Sequence, residues 1–178
     1  EAEAMLAKLI GPCKSQFLEP NSPFLTRYYH ANFHQSAIIY LQWQGAQKLI
    51  RFQPDDLYVF YLPLEGIIEE RINQSEPILS SIKTAHLFSP QQDLTGQISS
   101  RGQGISVCIP YQRLHQELIN LSGKSINSFI TFQPEVDLTT ALGHSLKELI
   151  LFAWQSTACN SLFLPQLEQT LLTGLLQY

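Results

Sequence analysis

Histidine offers this chain its widest choice of chemistry, and of its five histidines only His30 and His34 stand close together. On a helix that HxxxH spacing would set two imidazoles on one face, as a zinc site needs. Their neighbours Tyr28, Tyr29 and Phe33 favour strand or loop instead. Along an extended strand, residues four apart point the same way but lie roughly 13 Å from one another, too far to share an ion. The reading is no metal and no cofactor. His86 and His115 stand alone in sequence, and His144 falls in a helical stretch. Cys108 alternates with Ile105, Val107 and Ile109, where a small buried hydrophobe fits better than a nucleophile without a base beside it. No GxSxG elbow, phosphate loop or dinucleotide fingerprint occurs, so catalysis is not expected.

Binding is a better prospect. Tyr40, Tyr58, Phe60 and Tyr61 could wall a pocket for an apolar or cyclic ligand, or could simply fill a small all-β interior. If Tyr61 faces inward, period-two alternation places Glu65 on its side, and on a later strand Cys108 could line the interior opposite or beside Ser106. Arg71 could supply a charge for a polar ligand, or could be a solvated residue paired with Glu69 or Glu70. The candidate pocket is therefore Tyr40, Tyr61, Glu65, Arg71, Ser106 and Cys108.

The elements that must position these residues change character near Pro110. Before it, short strand-like runs recur: Leu25–Tyr29, Ala37–Trp43, Lys48–Phe52, Leu57–Leu64, Ile67–Asn73, Ile78–Ile82, His86–Ser89, Leu94–Ser99 and Ile105–Ile109. Turn residues such as Gly45-Ala46, Pro54-Asp55-Asp56 and Glu65-Gly66 bound them, and no helix intervenes. Many short strands at even spacing predict an antiparallel barrel or double-sheet jelly roll. After Pro110, helical periodicity predicts a helix over Tyr111–Leu121 ended by Gly123, a second opened by Asp137 as N-cap, and a third starting at Pro165. Phe129–Phe132 reads as a short strand between the first two. The leucine stripes of the last two helices either pack within the chain or join two subunits; in the second case Leu146, Leu149, Phe152, Leu167 and Leu171 are the anchors.

Composition narrows the class. Hydrophobic residues are 44% of the 178 and charged ones 15%, which argues for a folded protein and against disorder, and the strands and helices read above make it mostly β with α. A net charge of -4 without a Lys/Arg cluster gives no footprint for nucleic acid. Three scattered cysteines suit a reducing cytoplasm. No apolar run nears the ~18 to 20 residues of a membrane span, so no membrane partner is expected. The reading divides the chain into a lead-in at 1–23 with a tag-like 1–4, a barrel at 24–110 and a helical subdomain at 111–178. Its last residues, Leu171 to Tyr178, still follow a helical pattern, as in a domain cut from a longer protein.

In order and spacing, Pro54–Gly66, Ala85–Pro90, Ile105–Pro110 and the leucines that follow resemble the ligand-sensing, cupin-like N-terminal domain of AraC-type transcription regulators. The resemblance runs from about Phe24 to Tyr178. It implies a barrel that senses a small-molecule effector, helices that pair two subunits into a homodimer, and DNA binding through a separate C-terminal helix-turn-helix region absent from this sequence. Catalytic cupins pair two close histidines on one strand with an acid and a later histidine, a set not found here. Two alternatives stand: a metal-dependent cupin enzyme using His30, His34 and His86, and a scaffold with no pocket.

Overall fold

The computed structural model describes residues 13–18, 25–52, 56–124, 128–159 and 162–178. Its strands are β1 (Cys13–Phe17), β2 (Leu25–Phe33), β3 (Ser36–Gln44), β4 (Gln47–Phe52), β5 (Leu57–Glu65), β6 (Ile68–Ile72), β7 (Ile78–Ser80), β8 (Thr84–Phe88), β9 (Leu94–Ile98), β10 (Arg101–Pro110) and β11 (Glu135–Asp137). All pair antiparallel in two sheets, ordered β1-β4-β9-β6-β7 and β11-β8-β5-β10-β3-β2. The fold is the expected cupin-like one, mostly β with helices. Its sheets are nevertheless not closed into a barrel, because each described strand belongs to one sheet or the other. Two strands come from outside the run 24–110, β1 ahead of it and β11 after it.

Side-chain alternation on β10 explains the layering. This strand pairs with β3 on one side and β5 on the other, so it lies inside the larger sheet. Ile105, Val107 and Ile109 point to the helices, where they pack with Phe60, Leu87, Leu146 and Leu171. Cys108 points the opposite way, into a second core made with Ile39, Val59 and Phe88 and with Leu49, Ile68, Ile72 and Leu94 of the smaller sheet. A strand buried on both faces must be nearly uncharged, and Gly104–Ile109 is. Each such apolar side chain contributes roughly 1.5–3 kcal/mol by leaving water. The smaller sheet buries one face only, so β6 turns Ile68, Glu70 and Ile72 inward and leaves Arg71 exposed.

Helix α1 (Tyr111–Ser122) follows β10 without a loop and ends at Gly123, whose φ of 68° suits glycine and lets its N–H reach the Ile119 carbonyl at 2.8 Å. Helix α2 (Ala141–Thr157) opens later than the sequence suggests. Pairing of Asp137 with Thr84 holds that residue extended in β11, so Thr140 becomes the cap and accepts from the Gly143 N–H at 3.0 Å. Asp137 instead accepts from the Thr139 N–H and hydroxyl at 2.8 and 2.7 Å. Phe129–Phe132 is not a strand. Side chains hold it: Tyr58 Oη accepts from the Ile130 N–H at 2.8 Å and Ser89 Oγ from the Phe132 N–H at 3.3 Å. Helix α3 (Leu164–Leu175) has Pro165 in its first turn, as expected, and packs on α1, α2 and β2.

Candidate functional site

The inner face of the larger sheet carries a row of polar side chains in register. His86 of β8 lies opposite Tyr61 of β5, and Tyr61 opposite Ser106 of β10. Directly paired residues share a face, so all three point between the sheets. Glu70 reaches them from β6 of the opposite sheet and its Oε2 meets His86 Nδ1. His86 is wholly buried and Glu70 nearly so. Gly104 makes room for the Tyr61 ring: a Cβ at residue 104 would come within 2.5 Å of it.

Three buried polar atoms on this face end without a hydrogen-bond partner: His86 Nε2, Tyr61 Oη and, from β2, Tyr28 Oη. Ser106 beside them is only partly buried despite its place on an interior strand, so the face is not sealed. Burial, and then the charge of Glu70, hold the Tyr61 phenol far above its ordinary range. Burial also raises Tyr28, with a smaller effect from Cys108. Both phenols therefore stay protonated, each able to donate and to accept. Burial pushes the Cys108 thiol up to about 12, which leaves almost no thiolate near neutrality.

Of the six candidate pocket residues, the structure brings Tyr61, Ser106 and Cys108 together on the inner face. Tyr40 lies on the opposite face, stacked on Trp154 of α2 with ring centroids 5.9 Å apart, and donates to Gln103 Oε1. Glu65 joins Tyr40, not Tyr61, because a bulge intervenes: Gly104 pairs with Pro63 but Gln103 pairs with Glu65, so Leu64 is an extra residue and the alternation flips. Glu65 then accepts from Gln103 Nε2 at 3.0 Å and pairs with Arg101 at 3.0 Å. Arg71 is on the solvent side of the smaller sheet, donating to the Ser75 carbonyl at 3.4 Å, and meets neither Glu69 nor Glu70.

Sequence reasoning missed Glu70, His86 and Tyr28 as one group. The signals were a carboxylate at the inward phase between Ile68 and Ile72, and an imidazole inside the run Ala85–Phe88. His30 is exposed on β2 and His34 sits in the turn after it. Among the described residues no three of His, Cys, Asp and Glu gather as a metal site requires.

On the helical side, Leu146 and Leu171 belong to the chain's own core, at 2% and 0% exposed. Leu149 and Leu167 are half-buried and Phe152 is exposed. A groove of about 720 Å³ runs between α2 and α3, lined in part by Leu142, Leu146 and Leu149. A second group, which the sequence reading overlooked, joins α1 to the buried face of α3. Arg113 of α1 reaches Glu168 of α3 at 3.0 Å and Glu117 at 3.3 Å. Glu168 also accepts from the Gln35 N–H at 3.1 Å, and Glu117 from the Thr173 hydroxyl at 3.2 Å. A carboxylate within the apolar stripe Leu164, Leu167, Leu171, Leu172 was its signal.

Two facing antiparallel sheets with helices on one outer face and polar groups turned inward define the class as cupin-like. The chain belongs to the AraC-binding-like domain family, which it matches over residues 2–177. Among solved structures it is similar to the AraC-like transcriptional activator CuxR, with a TM-score of 0.74 at 16% identity. That likeness covers 97% of this chain but 62% of CuxR, so the chain spans less than two thirds of the activator's length. Looser likenesses are to the cupin domain of Schizosaccharomyces pombe Cnp3 (TM-score 0.43, 7% identity, 61% of this chain and 80% of that one) and to KdgF from Halomonas sp. (0.40, 13%, 55% and 86%). No curated protein matches the sequence.

Proposed function

We propose that this chain is the effector-sensing and dimerisation unit of an AraC-type transcription regulator, acting without catalysis on a separate C-terminal helix-turn-helix region in the cytoplasm. A small molecule between the sheets would favour one arrangement of sheets and helices over another, and that difference in affinity is the signal. The observation that carries this reading is the set of unpartnered polar atoms on the inner face, His86 Nε2, Tyr61 Oη and Tyr28 Oη. Leaving such atoms unmet costs about 1–3 kcal/mol each, a cost that an occupant can offset. The high pKa of Cys108 supports a role without nucleophilic chemistry. Half-buried Leu149 and Leu167 with exposed Phe152 are the residues through which α2 and α3 would meet a second copy. No described helix is long and apolar enough to cross a membrane.

Native mass spectrometry of the purified chain tests the proposal in one spectrum. A metal-free dimer that carries an added organic mass is the expected result. A metal-loaded monomer would overturn it in favour of an enzyme, and a ligand-free dimer that no small molecule stabilises would leave a scaffold.

A further inference from the structure

Resting on the sensing role just proposed, we infer that the effector is an uncharged small molecule with one or two hydroxyl groups on an apolar body, its hydroxyl bound by His86 Nε2 and Tyr61 Oη. Three features of the inner face lead there. First, its unpartnered polar atoms are few and the walls beside them are hydrocarbon: Ile39, Val59, Phe88 and Leu94 surround the row that holds His86, Tyr61 and Ser106. A densely hydroxylated compound would leave most of its own groups unmet against such walls. Second, the described titratable His, Asp and Glu side chains on that face are Glu70, the His86 that meets it and, exposed at the sheet edge, His30, which pairs with Ile39 beside Ser106; no described lysine or arginine side chain lies there. An acid at His86 would bring a second negative charge beside a buried carboxylate with no lysine or arginine to answer it.

Third, the unpartnered atoms are matched by a group that can both donate and accept. His86 gives its Nδ1 to Glu70, which leaves Nε2 as a lone pair in the neutral ring or an N–H in the imidazolium. A hydroxyl serves either state, whereas an ammonium serves only the first. The Tyr61 and Tyr28 phenols are ambivalent in the same way.

The test uses the chain labelled with ¹⁵N-histidine and three probes that share one ring: benzyl alcohol, benzylamine and benzoate. Long-range ¹H–¹⁵N spectra report on His86 Nε2 directly, and thermal unfolding gives the accompanying stabilisation. Benzyl alcohol is expected to move the Nε2 resonance and raise the melting temperature in a saturable way, while benzylamine and benzoate move neither. Tyr61→Phe, which keeps the ring and removes only an unmet hydroxyl, should bind benzyl alcohol roughly three- to tenfold more weakly, the worth of one hydrogen bond. If benzoate or benzylamine shifts Nε2 as strongly as the alcohol, the ligand class is wrong and the sensing role survives. If no probe shifts Nε2 at concentrations up to its solubility, the inner face is not a ligand site, and the class and the sensing role fall together.

Discussion

Two carboxylates are buried on the helical side of the six-stranded sheet, and each has its partners: Glu168 meets Arg113 and the Gln35 N–H, and Glu117 meets Arg113 and Thr173. One carboxylate is buried between the sheets, and the group around it is incomplete: Glu70 meets His86, yet His86 Nε2 and Tyr61 Oη end without partners. Burial is as deep in both places, so depth alone does not mark a site. Completeness does. A satisfied network specifies how three elements pack, whereas an unsatisfied one is finished only when something enters.

The widest gap between the two regions should appear on removing the central cation. Arg113→Met strands Glu117 and Glu168, whose side chains are 2% and 1% exposed, and should cost about 3–5 kcal/mol in urea unfolding. A loss under about 1 kcal/mol would mean that this network, like the inner one, is not complete. Gly104→Ala should cost less, roughly 1–3 kcal/mol, because the new methyl displaces the Tyr61 ring. Its sharper signature is that any thermal stabilisation by a bound small molecule disappears, while Arg113 variants that still fold retain it. The smallest effect concerns the thiols: in mildly alkaline buffer, native-state alkylation should label exposed Cys159 and spare Cys108. The sign follows from the raised pKa. The stability that Cys108 contributes as a neutral thiol is complete below the ordinary thiol range, and it falls as pH rises from there to about 12, since the unfolded chain ionises first. Labelling of Cys108 at the rate of Cys159 would show that the interior opens freely.

Much of this was legible in the residues. Period-two alternation located the strands from β2 to β10, and Gly123 and Pro165 marked helix ends where they stand. What alternation cannot reveal is a place where it is broken. One extra residue, Leu64, moved Glu65 to the other face, and pairing with β8 kept Asp137 out of the helix it seemed to cap. The inner group was hidden for another reason. Glu70 and His86 stand 16 residues apart on strands of different sheets, and only the facing of those sheets makes them neighbours. Arg71, adjacent to Glu70 in sequence, stood as the pocket candidate instead because its phase was unknown.

The junction of β10 and α1 has a mechanical meaning. Pro110 ends the strand and Tyr111 begins the helix, with the Tyr111 N–H fastened to the Asp56 carbonyl at 2.9 Å. Ser106 on the inner row and Arg113 in the helical clamp thus lie on consecutive elements joined without a loop. A shift of that strand would reach Arg113 through this loopless junction, and Glu168 of α3 is the group Arg113 holds.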